Sequence, residues 1–535
     1  MTAALDRSTS KRTQTVGLVT IALASFLLPM TLAGTSVALP KMGISLHASL
    51  LSLQWVINGY DLTFAAFMLA AGSVADSSGR RRLFRLGLAV YSVGLLVSGL
   101  ATNTLVLDLA RGLAGLGAAA VLTAGLACLA NLFAEEAARA KAFGVFGTSV
   151  GVGLAFGPFI CGVLNSTLSW RAVMFVPAAI AALLLVGTAW IPESKNAEAG
   201  QVDIPGTVLF SGALFLLIFG LLEGPQAGWA SAVVLTCLVT AVIALAGFVT
   251  VERKVPHPMF ELSLLRHRRF ASLSLAVIAL VFVFTPLLVY LPAYYSAVFG
   301  YSSQHVGLIL MMLTVPALVF PTIAGYVSKW ISIRALVLST VILTAGGVAW
   351  LTVLSDKASA WTVFGPYLLI GIGVGISFGV MDNAAVGSVE SGRAGMAAGM
   401  FNTMRVGGEV VGIAVVGTTL TAVSGHYLGS RIAGFSTPYA HRPGSAADLL
   451  NQGNLSTITS SLHQSAERLS FVHALTGSFT DAFHVVCWAL AIFCALASAT
   501  LVILDRPEPA SAKPRSVEAE SDLAESAPVT EPVGS

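Results

Sequence analysis

Long apolar stretches separated by short polar segments make up most of the chain between residues 16 and 504. A helix that crosses the hydrocarbon core needs about 20 mainly apolar residues, and its backbone hydrogen bonds must be made within the segment. The pattern therefore predicts an all-α membrane protein with fourteen transmembrane helices. The predicted spans lie near residues 16–39, 51–74, 86–102, 105–131, 142–164, 172–191, 205–222, 232–251, 271–294, 305–327, 335–354, 361–386, 396–424 and 482–504.

The spans fall into three groups: a six-helix block over residues 16–192, two linker helices over 205–251 and a second six-helix block over 270–504. A short sequence that begins at Arg139, after four helices of the first block, is echoed by one that begins at Arg393, after four helices of the second. Such repetition is typical of transporters in which two bundles share a site near the middle of the membrane. The alternative is that Gly and Ala recur by chance in closely packed helices.

Composition agrees with the bilayer as the main solvent. Hydrophobic residues make up 56% of the chain and charged residues 10%, against about 25% charged in an ordinary soluble domain. The net charge is +3 without a basic block, which argues against nucleic acid as a partner. The five cysteines lie in apolar runs without metal-ligand spacing, so we expect no disulfide framework, no zinc site and no cofactor. The phosphate-binding pattern G-x-x-x-x-G-K-[ST] is absent from the sequence, so ATP is not expected as the energy source.

Positive charges are distributed unequally between the two sides of the predicted membrane. With the N-terminus inside, the inner segments carry 21 Lys and Arg residues and the outer segments carry six. This asymmetry predicts a plasma-membrane protein with both termini in the cytoplasm. Residues 1–15 then form a short cytoplasmic segment and residues 425–480 a polar outer loop. Residues 505–535 form a cytoplasmic tail whose Pro, Glu and Ala content predicts disorder.

The polar segment between the second and third spans combines an acid, a glycine turn and an arginine cluster. A carboxylate is favourable near a helix start, and arginines are favourable on the cytoplasmic surface. An ordinary cytoplasmic loop would also be positively charged. Only the combination of the acid, the glycine turn and the arginine cluster therefore distinguishes this motif. Its residues are Gly72, Asp76, Gly79, Arg80, Arg81 and Arg82.

The fifth span ends in a motif of glycines around a proline, formed by Gly153, Gly157, Pro158 and Gly162. Proline removes a backbone donor and bends a helix, whereas glycines let a neighbouring helix approach closely. The motif predicts a bend at a packed interface, which could equally be a packing kink in any transporter.

These two motifs resemble signatures of the major facilitator superfamily. The loop resembles G-x-L-a-D-r-x-G-r-r, and the fifth span resembles the G-x-x-x-G-P-x-x-G-G of facilitator-type drug antiporters, with Cys161 in place of one glycine. Shorter sequence matches occur elsewhere along the chain. Together with the two motifs, they make residues 16–504 similar to the fourteen-helix drug:proton antiporters of the EmrB/QacA type. The resemblance implies two six-helix bundles joined by two linker helices, proton-driven drug efflux, and a gating role for Asp76 and Arg80. The shorter matches lie at residues 53–60, 169–171, 222–229, 290–292 and 393–403.

The chain departs from this subfamily where the coupling residues are expected. The first span of the relatives carries L-D-x-T-x-x-N-x-A-L-P, but this chain has Met30 and Thr31 where the relatives have Leu and Asp. The fourth span keeps Arg111 of the R-x-x-Q-G pattern and has Ala114 for Gln. In the second half, Lys329 stands where many relatives have Asp. The coupling site therefore cannot be copied from the family.

Ionisable residues within membrane spans are costly and by default functional. Asp61 in the second span and Arg111 in the fourth lie at similar depths, given the ~1.5 Å rise per residue of a helix. We predict that they pair, that Asp61 replaces the missing acid of the first span, and that proton arrival frees Arg111. A purely structural ion pair is the alternative.

Glu409 lies near the middle of the thirteenth span, flanked by Gly407, Gly408 and Gly412. A desolvated carboxyl at this depth suits a proton carrier and could attract a cationic compound. We predict that it is the main coupling residue, with a buried structural acid as the alternative.

Two further charges lie nearer the helix ends. Asp382 is expected to be a helix-end acid in contact with water. Arg405 is expected either to extend toward the cytoplasm or to meet an acid from a neighbouring helix.

Together these features predict a proton-coupled exporter of hydrophobic or amphiphilic toxic compounds that works by alternating access as a monomer. Its expected partners are the substrate, protons and the lipid bilayer. The alternative is a facilitator-type exporter or importer of one metabolite, such as a self-made antibiotic. An enzyme is not expected, because the histidines lie mostly in loops and no nucleophile, base or metal set is clustered.

Overall fold

The computed structural model describes residues 11–133, 135–195, 203–255, 260, 262–355, 361–388, 394–459 and 465–504. Within these ranges the regular secondary structure is helical, without strands. The helices are α1 (Lys11–Leu46), α2 (Leu50–Ser78), α3 (Arg80–Leu100), α4 (Thr104–Leu132), α5 (Glu136–Thr167), α6 (Ala172–Gly187), α7 (Ile204–Ala227), α8 (Ala232–Glu252), α9 (Arg268–Phe299), α10 (Ser303–Val327), α11 (Ile333–Trp350), α12 (Phe364–Val386), α13 (Ala394–Arg431), α14 (Pro443–Asn451), α15 (Leu455–Thr459) and α16 (Ser465–Leu504).

The predicted all-α fold is confirmed, and the helix count agrees with the predicted number of spans. In the described ranges, fourteen helices are at least 16 residues long, whereas α14 and α15 are short. Thirteen of the long helices contain an apolar stretch sufficient to cross a membrane. The remaining one, α2, is 29 residues long and coincides with the predicted second span.

The helix boundaries differ most from prediction at the outer segment. Residues 425–480 were expected to be a loop, but α13 continues to Arg431, α16 begins at Ser465, and α14 and α15 lie between them. Helices can extend beyond the hydrocarbon core because their backbone hydrogen bonds are internal wherever they lie. The predicted tail and residues 1–10 fall outside the described residues.

The long helices pack in two groups, and a helix pair lies beside them. In the first group α3 and α2 pack on α4, and α1 packs on α5 and α6. In the second, α10 and α11 pack on α12, while α9 and α16 pack on α13. The α7–α8 pair reaches the rest of the molecule through α7, which packs against both α2 and α13.

The two groups meet mainly through α5 with α10 and α2 with α13. We call the ends that the charge asymmetry assigns to the outside the outer ends, and the opposite ends the inner ends. At the outer ends, Asn165 Nδ2 donates to Ser303 Oγ over 2.7 Å. Between α2 and α9, Gln54 Nε2 donates to the Tyr290 hydroxyl over 2.9 Å. These bonds connect the two groups near the outer surface.

The contact between α5 and α10 weakens toward the inner ends. Along one face of α5, Gly162 lies against Ser303 and Gly151 lies against Leu318. The next glycines on that face, at 147 and 144, have no atom within 4 Å of an added Cβ in the part of the chain that is described. The same is true of Gly325 on α10. The two helices therefore touch at their outer halves and separate at their inner halves.

Candidate coupling and translocation site

A small cavity of about 40 Å³ lies between the two helix groups. Its lining is almost wholly aliphatic and aromatic, and Glu409 is the one carboxylate among the residues that form it. The first group contributes Leu32, Ala33, Ser36, Ile57 and Leu154, and the second contributes Val281, Phe284, Thr285, Leu288, Val289, Phe378 and Glu409. The cavity thus presents one acid to an apolar space shared by both groups.

Glycines in α13 place Glu409 at this position. A Cβ on Gly412 would lie 2.9 Å from the Phe282 backbone of α9, and one on Gly408 would lie 3.1 Å from Val281. Because these positions carry no side chain, α13 and α9 approach closely. Among the described residues no Lys, Arg or His lies within ion-pair distance of Glu409. The predicted acid therefore faces the cavity without a bonded counter-ion.

Asp61 and Arg111 are both fully buried, but they do not form the predicted ion pair. The Arg111 Nε donates to the Val56 carbonyl over 2.9 Å, and its guanidinium lies 4.4 Å from the centre of the Tyr60 ring. The Asp61 carboxylate oxygens and the two terminal nitrogens of Arg111 have no hydrogen-bond partner in the described structure. Direct pairing was wrong because Tyr60 and the α2 backbone hold the guanidinium.

Without a direct bond to Arg111, Asp61 interacts electrostatically with it and also with Glu409, across the contact between α2 and α13. Two acids, one from each helix group, are therefore close enough to influence each other. Sequence reasoning missed this relationship because it joins helices that are more than 300 residues apart along the chain. Depth in the membrane alone did not reveal which faces of α2 and α13 meet.

Thr31, which is uncharged, stands where the acid of the first span is absent. Its hydroxyl lies 2.8 Å from the Tyr91 hydroxyl, which donates to the Leu27 carbonyl over 3.1 Å. This part of α1 is therefore tied to α3 by neutral hydrogen bonds. The substitution of Asp by Thr leaves the first helix without a proton-binding group at this depth.

Arg405 meets an acid from a neighbouring helix, as one of its two predicted alternatives required. Its terminal nitrogen forms an ion pair with Asp382 of α12, and another donates to Asn402 Oδ1 over 3.1 Å. The guanidinium also lies over the rings of Phe378 and Phe401, at 5.1 and 5.4 Å. Asp382 keeps 40% of its side chain exposed, so it touches both water and Arg405.

The predicted gating loop is bound to the segment that follows α6. Arg81 N donates to Glu193 Oε1 over 3.0 Å, and the Nε atoms of Arg81 and Arg82 lie 3.7 and 3.8 Å from Glu193 Oε2. Arg80 N donates to the Ser194 carbonyl. Gly79 has a φ of 118°, which favours glycine, and an added Cβ would lie 3.0 Å from Glu193. Glu193 could not be identified from the sequence, where its only signal is its position directly after the sixth span.

Two other residues of this motif are placed less fully. Gly72 lies within α2, and an added Cβ there would have no described atom within 4 Å. Asp76 lies on the last turns of α2, but its side chain is outside the described part of the structure, as is Arg393 of the echoed sequence.

The glycine–proline motif of α5 lies at two helix interfaces. An added Cβ on Gly153 would lie 2.2 Å from the Phe26 carbonyl of α1, and one on Gly157 would lie 2.9 Å from the Met30 backbone. On the other side, Gly162 lies against α10. Pro158 is within α5, between these contacts. The motif therefore packs α5 on its own group and on the opposite group.

The sequence matches the Major Facilitator Superfamily over residues 21–413, which is well over half of the chain. The chain belongs to this superfamily. Multidrug resistance protein Stp of Mycobacterium tuberculosis is 31% identical over 77% of this chain and 76% of its own length. Puromycin resistance protein pur8 of Streptomyces alboniger is 32% identical over 77% of this chain and 83% of its own. Cephamycin export protein CmcT of Amycolatopsis lactamdurans is also 32% identical, over 77% of this chain and 86% of its own length.

Solved structures agree on the fold of this superfamily member. The crystal structure of a bacterial homolog of the human lysosomal transporter Spinster, inward-facing and unoccupied, matches with a TM-score of 0.64. It covers 94% of this chain and all of its own at 18% identity. At that identity the match concerns the fold alone.

Proposed function

We propose that this superfamily member is a proton-coupled exporter that expels hydrophobic or amphiphilic drugs or antibiotics across the plasma membrane. The observation that carries the proposal is Glu409, the single acid among the residues that line a mostly apolar cavity between the two helix groups. Three relatives that share about three quarters of the chain are named for multidrug resistance, puromycin resistance and cephamycin export. An apolar lining attracts lipophilic compounds of many shapes, and the acid gives protons and cationic groups a common binding place.

The electrostatics of the site support coupling. Arg405 is occupied by Asp382 and Asn402, so the negative charge of Glu409 is not cancelled by a bonded cation in the described structure. Asp61 and Glu409 repel each other when both are ionised. The pair of acids therefore tends to keep one proton. That proton is released when a cation binds or when the conformation changes.

Transport proceeds by alternating access between the first bundle (residues 16–192) and the second (270–504), with both termini cytoplasmic. The contacts described above close the outer ends and leave α5 and α10 apart at the inner ends, as in an inward-open state. The loop at Gly79 is held by Glu193 within the first bundle, which supports its role as part of an inner gate that moves with α2 and α3. Of the linker helices 205–251, α7 packs against both α2 and α13.

Purified protein in liposomes tests this function. An imposed pH gradient should drive puromycin and a lipophilic cationic dye against their concentration gradients, and Glu409→Gln should abolish that movement. Glu223→Gln, the same change in the linker helix α7, serves as the matched control and should retain transport. Gradient-driven transport that survives Glu409→Gln would remove this acid from the mechanism. Absence of transport in the unmodified protein, with every compound, would reject the exporter.

A further inference from the structure

The segment between α13 and α16, whose polar composition predicts a loop, contains the short helices α14 and α15. We propose that residues 443–454, which we call the outer plug, form an extracellular stopper fixed to the second bundle, whose tip seals the crevice against the first. The inference rests on the proposed function for its direction, because it assigns this segment to the outer side. It adds a moving part that neither the exporter function nor the superfamily fold requires.

The plug is anchored on the second bundle. Ala446, Ala447 and Leu450 on α14 are completely buried, and α14 packs chiefly on α13 and α9. Asn451 Nδ2 donates to Thr421 Oγ1 of α13 over 2.9 Å. After α14 the chain turns at Gly453, whose φ of 74° favours glycine and whose added Cβ would lie 3.2 Å from the Ala293 carbonyl of α9. This backbone is therefore pressed onto the second bundle.

The tip of the plug reaches the first bundle. An added Cβ on Gly43 of α1 would lie 3.3 Å from Gln452 Oε1, and Gln452 is only 4% exposed. Asn451 and Gln452 line a narrow gap together with Leu53 and Gln54 of α2 and Tyr290 of α9. The tip thus lies between helices of both bundles at the outer end.

The chemistry of the plug suits a contact that is made and broken. Its anchor is largely apolar, whereas the side chain at the tip that reaches the first bundle is the amide Gln452, which is 4% exposed. An amide that leaves a protein interface exchanges its partners for water at little net cost, whereas an apolar side chain exposes surface that water disfavours. When the outer ends separate, the tip should leave α1 and α2 while α14 stays on α13 and α9.

Two cysteine pairs separate these roles. In the first pair, a short bifunctional thiol reagent bridges Gly43→Cys and Gln452→Cys and so joins the tip to the first bundle. In the second pair, the same reagent bridges Asn451→Cys and Thr421→Cys and so joins the plug to the second bundle. The first bridge should abolish gradient-driven transport and the second should leave it intact. Unbridged variants, and the unmodified protein with its five native cysteines treated with the reagent, are the controls.

Hydrogen exchange gives a readout that does not need a substrate. Amides at the outer ends of α5 and α10, around Asn165 and Ser303, belong to neither bridged segment and exchange when the outer ends part. The first bridge should slow their exchange and the second should not. If the two bridges have the same effect on this exchange, the plug does not move as proposed. If no variant transports but the exchange differs as expected, the exporter function fails and the plug stands.

Discussion

At the scale of single residues, the acids of the membrane interior carry the coupling hypothesis. Asp61 and Glu409 influence each other across the bundle interface, whereas Asp61 and Arg111 make no bond. If Asp61 and Glu409 act on one shared proton, their mutational effects should not add. Asp61→Asn should reduce proton-driven transport, and combining it with Glu409→Gln should be no worse than Glu409→Gln alone. Initial transport rates in liposomes for the two single variants and the double variant check this, and additive losses would show separate roles.

The ion pair between Arg405 and Asp382 makes a second residue-scale prediction. Arg405 is 11% exposed, so Asp382→Asn leaves a largely buried guanidinium with a weaker partner. We expect a loss of about 1–2 kcal/mol of stability, because removing one partner of a buried pair costs more than the pair contributes. Arg431 and Asp481 form a matched pair in which both side chains are about 40% exposed. Asp481→Asn should therefore cost less than about 1 kcal/mol, and equal shifts in thermal unfolding would contradict this difference.

At the scale of elements, the glycines of α5 decide how the helices pack. Gly153→Ala would place a methyl group 2.2 Å from the Phe26 carbonyl of α1, and overpacking of this kind costs about 1–3 kcal/mol. Gly147 lies two turns earlier on the same helix, where an added Cβ meets no described atom within 4 Å. Gly147→Ala should therefore be neutral or stabilise the helix by up to about 1 kcal/mol. Thermal unfolding of both variants in detergent measures the contrast.

The outer plug should respond to pH through Asp448 on α14. Burial raises the pKa of this carboxyl from 3.8 to about 6 in the folded segment. The folded segment therefore binds a proton that the locally unfolded segment releases, so the segment is most stable below the unfolded pKa and loses stability as pH rises through about 6. The equilibrium for local unfolding of residues 443–454 should rise by up to about tenfold between pH 5 and pH 7. Hydrogen exchange of residues 443–454 measures it, and Asp448→Asn should remove the dependence.

The sequence predicted elements better than it predicted the contacts between them. Fourteen apolar runs became fourteen long helices, since span length and hydropathy are local properties. The prediction that Glu409 lies near the membrane centre came from its position along the thirteenth span. The faces that meet across helices depend on packing, so the electrostatic interaction of Asp61 with Glu409 and the hydrogen bond from Arg81 N to Glu193 could not be read from spacing. The outer plug was missed because its polar composition resembles that of a loop.

At the scale of the whole molecule, a few hydrogen bonds hold the outer ends of the two groups together. Tyr290 of α9 accepts from Gln54 Nε2 of the first group over 2.9 Å and donates to the Ile413 carbonyl of its own group over 3.0 Å. All three partners are buried, so the closed state depends on these bonds being satisfied. When the outer ends open, Gln54 can bond to water instead.

Tyr290→Phe should therefore shift the molecule toward the outward-open state. The variant leaves the Gln54 amide without its partner only when the outer ends are closed, which penalises that state by about 1 kcal/mol, or roughly a fivefold change in population. Labelling of Ser36→Cys, which lines the cavity, by a membrane-impermeant thiol reagent added from outside should accelerate by a similar factor. Tyr295→Phe is the matched control, because its hydroxyl bonds to Tyr367 over 2.6 Å within the second group. If both variants accelerate labelling equally, the Gln54–Tyr290 bond is not part of the outer gate, since loss of any buried tyrosine hydroxyl would then suffice.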